Sequence, residues 1–315
     1  MATCDMINYL RKWKLRQSNG NLNEIIPILS MMLGAITISF SAVYVKLVDV
    51  TPSVSAFYRM FFGAIMLLFI VVIQKKRYWH SGLYFTFTFI GGLAIALNMV
   101  MWHMSILYIG PGLATILGNF QVFMMALFGF FIFKEKLKIR FIFSIFLAFF
   151  GLFLMIGTNW DQASEYYQLG IYLGFVVAVC YATYLLFLRV VQTMNSPLSS
   201  VTNLFIMTAI SALILFIIAV FRQESLSIPN FRNFVYLMCY GFFSQVIGWV
   251  IIAWSMPRIK ASLAGFILLM QPALTFVWDV LFFDRLLNWV IASGIFITLA
   301  AIYMGTSGGS HSSKH

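Results

Sequence analysis

An all-α membrane protein, with ten transmembrane helices arranged as two inverted five-helix repeats, is what three features of the sequence predict. Ten apolar stretches run through the 315 residues, and a spanning helix needs about 20 mostly apolar residues at 1.5 Å rise each. The chain is 62% apolar and 9% charged, with a mean hydropathy of +0.94, which leaves a soluble domain of this length without support. The basic residues cluster on alternate loops, as a positive-inside topology requires.

In chain order, residues 1–24 form a polar, basic cytoplasmic tail with no apolar run before a cleavage site, so no cleaved signal peptide is expected. The first repeat, residues 25–156, holds spans Ile25 to Lys46, Pro52 to Gln74, Gly82 to Ile106, Gly112 to Phe133 and Phe141 to Ile156. Residues 157–168 (G-T-N-W-D-Q-A-S-E-Y-Y-Q) make a polar, acidic outer linker free of Lys and Arg. The second repeat, residues 169–303, holds Leu169 to Arg189, Pro197 to Val220, Phe234 to Trp254, Ala261 to Phe282 and Leu287 to Tyr303. A polar, Gly/Ser-rich tail fills residues 304–315.

The net charge of +11 belongs to topology rather than to nucleic acid. With the N-terminus inside, fifteen of the twenty Lys and Arg residues face the cytoplasm, among them Lys75, Lys76, Arg77, Lys134, Lys136, Lys138, Arg140 and Arg189. Lys46, Arg222, Arg232 and Arg285 fall outside, and Arg59 lies within a span. This bias places both termini in the cytoplasm. No basic groove with interleaved aromatics forms one surface, so no nucleic-acid partner is expected. Cys4, Cys180 and Cys239 have neither disulfide nor metal-ligand spacing. Four histidines, no phosphate-binding glycine loop and no nucleophile elbow leave enzyme chemistry unsupported, and no metal or cofactor is expected.

Shifting the second half onto the first by 150 residues aligns Gly91/Gly241, Ser105/Ser255, Leu113/Leu263, Ala114/Ala264, Gln121/Gln271, Phe133/Phe283 and Leu137/Leu287. Pro52 and Pro197 align at a shift of 145. An odd number of spans per half inverts the second half, a common construction among secondary transporters.

Three stretches carry a family resemblance. They are P-S-V-S-A-F-Y-R-M-F-F-G-A (Pro52 to Ala64), the run L-Y-I-G-P-G-L-A-T-I-L-G-N-F-Q-V-F through F-K-E-K-L ending at Leu137, and A-S-L-A-G-F-I-L-L-M-Q-P-A-L-T-F (Ala261 to Phe276). From about Pro27 to Gly305 the chain resembles the EamA-type carriers of the drug/metabolite transporter superfamily. Arg59 looks like the family's buried arginine, Glu135-Lys136 like its acidic-basic turn, and Gln271-Pro272 like its ninth-helix pair. Arg285, with Asp284 beside it, replaces the glutamate expected to match Glu135. Val122 stands where the fourth helix of the family carries proline, which predicts a straighter fourth helix. The resemblance implies a secondary transporter of a small organic metabolite (an amino acid, nucleoside or related amphiphilic solute) across the inner membrane by alternating access. It implies no cofactor, and a proton or counter-solute is the candidate coupling species. A lipid-carrier flippase and a non-transporting membrane receptor or assembly factor are the alternatives.

Polar side chains inside spans are the candidate site residues. Gln121 and Gln271 fall mid-helix at equivalent repeat positions, where an amide either binds substrate or joins helices. Asn98 and Trp102, at i and i+4, share a helix face with Ser105, and Gln245 and Trp249 repeat that amide-indole spacing. Tyr44, Tyr181 and Tyr184 need partners for their hydroxyls in lipid and so face inward. Arg59, His103 and Asp279 sit at similar depth in the outer half and form a candidate gate or coupling group. Either Arg59 pairs with Asp279 beside a pH-sensing His103, or Arg59 braces helix-end carbonyls while the other two reach interfacial water.

Overall fold

The computed structural model describes residues 25–74, 82–131, 138–156, 165–194, 198–283 and 289–307. Every regular element among them is helical. In chain order these are α1 (Ile25–Ser39), α2 (Ser41–Leu47), α3 (Pro52–Ile73), α4 (Gly82–Gly118), α5 (Gln121–Phe131), α6 (Ile139–Ile156) and α7 (Glu165–Thr193). They continue with α8 (Ser200–Phe221), α9 (Phe231–Cys239), a π-helix (Tyr240–Gly248), α10 (Trp249–Ser255), a short 3₁₀ turn (Met256–Arg258), α11 (Ala261–Ile267), α12 (Met270–Phe283) and α13 (Trp289–Ser307). Six helical stretches are long and apolar enough to cross a membrane, and four shorter apolar helices accompany them. Their outward faces carry large bare hydrophobic side chains such as Phe69, Phe146, Phe221 and Phe296. Such faces suit lipid rather than water.

Helix α4 is helical without interruption over 37 residues, yet the chain reverses within it. Thirteen residues of straight helix would span about 20 Å, whereas the Trp102 indole Nε1 donates to Thr115 Oγ1 at 3.3 Å. Asn98 on the first arm and Gly118 on the second both pack on Val177 of α7. Ser105 and Ile109, near the bend, both meet Gly170 one end further along the same helix. The loop expected after Ile106 is therefore helical backbone.

The fourth apolar segment is not straight. It breaks at Asn119-Phe120, between α4 and α5, where backbone bonds tighten to the i→i−3 type: Phe120 N–H to Leu117 O, Val122 N–H to Asn119 O, and Phe123 N–H to Phe120 O. The ninth breaks one residue short of the repeat-equivalent place, at Leu268-Leu269, with Leu269 N–H bonded to Phe266 O and Gln271 N–H to Leu268 O. Pro272 supplies one reason in α12, since it has no N–H to continue a ladder. In the first repeat the Asn119 amide takes the Thr115 carbonyl at 2.6 Å, a local side-chain bond that competes with helix continuation. Val122 therefore does not straighten the helix, because the break lies before it.

At the bundle end that holds Val48 to Thr51, the halves are tied together by polar contacts. Asp49 N–H donates to Asn233 Oδ1 at 2.8 Å, and Thr51 Oγ1 donates to Glu224 Oε2 at 2.6 Å. Arg189 differs from its expected place among the loop cations. Helix α7 continues to Thr193, and Arg189 is wholly buried with Nη1 donating to Met256 O at 3.0 Å.

Candidate functional site

A cavity of about 100 Å³ opens at the centre of the bundle, with walls from both repeats. Asn98 and Trp102 come from the first arm of α4, and Thr115, Gly118 and Asn119 from its return. Tyr181 comes from α7, Trp249 from the start of α10, and Gln271 and Thr275 from α12. Arg59 on α3 and Ser39 and Ser41 at the α1–α2 break complete the polar wall. Each helix break thus delivers polar groups to the cavity: Ser39 and Ser41 flank Phe40, Asn119 sits in the α4–α5 break, and Gln271 lies just after the break before α12.

Arg59 is 3% exposed and is held from one side by the π-helix. Its Nε donates to Gln245 Oε1 at 3.3 Å and its Nη1 to Tyr240 Oη at 3.1 Å, with the guanidinium carbon 5.0 Å from the Tyr240 ring centroid. Gln245 in turn donates through Nε2 to Thr208 Oγ1 at 2.9 Å, which fixes its amide orientation. Tyr44 stacks on Tyr240 at 5.8 Å between centroids. The π-helix approaches closely because small residues line its contacts. A Cβ on Gly63 of α3 would lie 2.5 Å from Gln245 Cγ, so the missing side chain there is what lets Gln245 reach Arg59. Wide i→i+5 turns of this kind are rare and concentrate at functional sites.

The aromatic wall is ordered by ring packing. Trp249 meets Tyr184 edge-on at 4.9 Å and Tyr181 at 6.2 Å, a geometry favoured by ring quadrupoles. The Tyr181 hydroxyl faces the Gln271 side chain and also feels the Arg59 charge. Gln271 Nε2 is buried and makes no hydrogen bond of ordinary length to a described residue, the Tyr181 hydroxyl being its nearby polar neighbour.

Of the residues singled out in the sequence, Asn98, Trp102, Tyr181, Trp249, Gln271 and Arg59 line the cavity. Gln121 packs elsewhere, its Nε2 donating to Gly265 O of α11 at 3.2 Å. Gln245 and Tyr44 stand behind Arg59 and Tyr240. His103 is buried against the Trp102 ring, with Nδ1 bonded to Met99 O at 2.8 Å. A carbonyl only accepts, so Nδ1 carries the proton and Nε2 is left as an acceptor, without a partner among the described residues. Asp279 belongs to α12, and its side chain lies outside the described residues. Tyr240, Thr208, Asn119, Thr115 and Thr275 were missed. Asn119 carried a signal, as a polar residue two positions before Gln121 in an apolar span, whereas nothing in the sequence marked Tyr240 as the partner of Arg59.

The sequence matches the model of the EamA-like transporter family over residues 25–157 and again over 168–306. The chain belongs to the EamA-like transporter family. It is accordingly a multi-pass membrane protein of a transporter family, built from two copies of one unit. A solved crystal structure superposes with a TM-score of 0.73 at 14% sequence identity, covering 89% of this chain and 98% of the other. At that identity the likeness speaks for the fold alone. No protein of curated function matches the chain.

Proposed function

We propose that this family member is a secondary carrier that moves a small organic metabolite across the inner membrane by alternating access. Its six long and four shorter apolar helices make ten spans in two inverted five-helix repeats, with both termini cytoplasmic. The observation that carries the reading is the central cavity, walled by both repeats and met by helix breaks near equivalent positions of each. Broken helices at the interface of inverted repeats are where carriers of this construction bind substrate.

Asn98, Trp102, Tyr181, Trp249 and Gln271 hold the solute in this reading. The amides orient it and the rings cover a flat or apolar body. Gln245 and Tyr44 position Arg59 and Tyr240, and Gln121 fixes α5 against α11. The cavity of about 100 Å³ is smaller than the roughly 150 Å³ that admits benzene. Its walls must part to load, and the bonds of Asp49 and Thr51 to Asn233 and Glu224, which tie the two halves at one end of the bundle, would have to break for the outer side to open. Arg59, His103 and Asp279 form the outer gate or coupling group, with Asp279 holding Arg59 when the cavity is empty. Arg59→Asp and Asp279→Arg should each abolish transport and the double variant should partly recover it; a double variant no better than the worse single one, though expressed equally, removes the pairing.

The function itself is tested by loading proteoliposomes with a metabolite extract and identifying what leaves, against empty liposomes. Release of a defined solute or narrow group is expected. Retention of every solute by folded protein would overturn transport in favour of a receptor or assembly role, and release of lipid-linked species alone would favour a flippase.

A further inference from the structure

Resting on the cavity being the substrate site, we infer that the substrate is an organic monoanion whose carboxylate is bound by Arg59. The guanidinium lines the cavity and is almost fully buried. Two of its three nitrogens, Nε and Nη1, are committed to neutral partners, Gln245 and Tyr240. Neither contact neutralises the charge, and Nη2 is bonded to no described residue. Among the described residues lining the cavity Arg59 is the charged group and there is no carboxylate. A charge held inside a span faces a cavity or partner that compensates it, and in the loaded carrier that compensating group is the cargo.

A second feature favours negative charge at the same place. The Gln271 Nε2 donor is buried and makes no hydrogen bond of ordinary length to a described residue, and the Tyr181 hydroxyl interacts with both the Gln271 side chain and the Arg59 charge. Donors therefore converge on one corner, while Trp102 and Trp249 supply the apolar surface beside it. A single buried cation balances a carboxylate. A phosphate monoester, at about −1.5 to −2 charge near neutral pH, would bring excess charge into a small apolar site.

The test is a binding titration of the purified full chain in detergent, read by intrinsic tryptophan fluorescence and by thermal unfolding. Probes are acetate, butyrate, benzoate, phenylacetate and indoleacetate, each beside its neutral amide, with inorganic phosphate as a non-carboxylate anion. At least one carboxylate should bind tenfold or more tighter than its amide and than phosphate, a difference worth about 1.4 kcal/mol. Arg59→Gln should erase that preference, and Arg59→Lys, which keeps the charge but not the planar fork, should retain it at lower affinity. The inference is overturned if no carboxylate of the series binds, if amide or phosphate binds as tightly, or if Arg59→Gln keeps the preference. The wild-type comparison stands even if a variant fails to fold. Selective carboxylate binding without any transport in liposomes would sink the carrier reading and leave this one. Transport of neutral solutes alone would do the reverse.

Discussion

Asn98–Trp102 on α4 and Gln245–Trp249 at the end of the π-helix have the same amide-indole spacing but different fates. On the α-helical stripe, residues four apart lie about 40° apart around the axis at 3.6 residues per turn, and both Asn98 and Trp102 reach the cavity. Gln245 lies in a π-helix, whose i→i+5 bonds put more residues in each turn; four residues then undershoot a turn by about as much as they overshoot it in an α-helix, so winding alone does not part the pair and the contacts of Gln245 do. Trp249 reaches the cavity while Gln245 turns to Arg59 and Thr208. A related divergence separates Gln121 from Gln271: the breaks before them are one residue out of register, so Gln121 opens α5 while Gln271 is the second residue of α12, and only Gln271 faces the cavity. The repeats share a break in the fourth and ninth spans, but the first span breaks at Phe40 while its counterpart α7 runs unbroken from Glu165 to Thr193, so local contacts rather than repeat position decide what each side chain touches.

The sharpest way to break this comparison is to truncate the two indoles. Trp249→Ala removes a buried ring packed on Tyr181 and Tyr184, which should cost about 3–5 kcal/mol and abolish transport. Trp102→Ala, at a half-buried site, should spare stability by comparison and still impair transport. Thermal unfolding of both variants in one detergent decides it, and equal losses would mean that the two stripes are packed alike.

The π-helix contact comes next. Gly63→Ala forces a Cβ against Gln245 and should cost about 1–3 kcal/mol by overpacking, with weakened transport because Arg59 loses its support. Gly82→Ala, where an added Cβ meets nothing within 4 Å, should change neither. If Gly63→Ala behaves like Gly82→Ala in unfolding and transport assays, Gln245 is not clamped as described.

The glutamine pair should give the smallest stability effect and a clear functional contrast. Interhelical hydrogen bonds in membranes average about 0.6 kcal/mol, so Gln121→Ala should lose roughly that and keep transport. Gln271→Ala should lose transport at no greater cost in stability, since its Nε2 makes no hydrogen bond of ordinary length among the described residues. Matching transport defects in both would restore symmetric roles.

The helical class and the two-unit build were legible because bilayer thickness and backbone satisfaction leave so few solutions for long apolar runs. Six of the site residues named from sequence line the cavity for a related reason: polar groups in a span turn away from lipid, and the bundle centre is where they converge. Less visible were features that depend on local contacts and on where a helix breaks or ends. The π-helix at Tyr240–Gly248 has no distinctive composition, so the redirection of Gln245 and the role of Tyr240 could not be read. The break at Asn119 was hidden because proline was taken as the breaker, whereas an asparagine amide bonding the preceding turn accompanies the same break. Arg189 looked like a loop cation because α7 outruns its apolar stretch by a turn before ending at Thr193.

The central claim is that one cavity between two inverted halves opens alternately to each side. Thr275 lines that cavity from α12, and a single cysteine there, with Cys4, Cys180 and Cys239 replaced, can report it. Labelling by a membrane-impermeant thiol reagent in right-side-out and in inside-out vesicles should occur in both orientations, and a transported solute should slow both. Labelling from one orientation only, unaffected by solute, would contradict alternating access through this cavity.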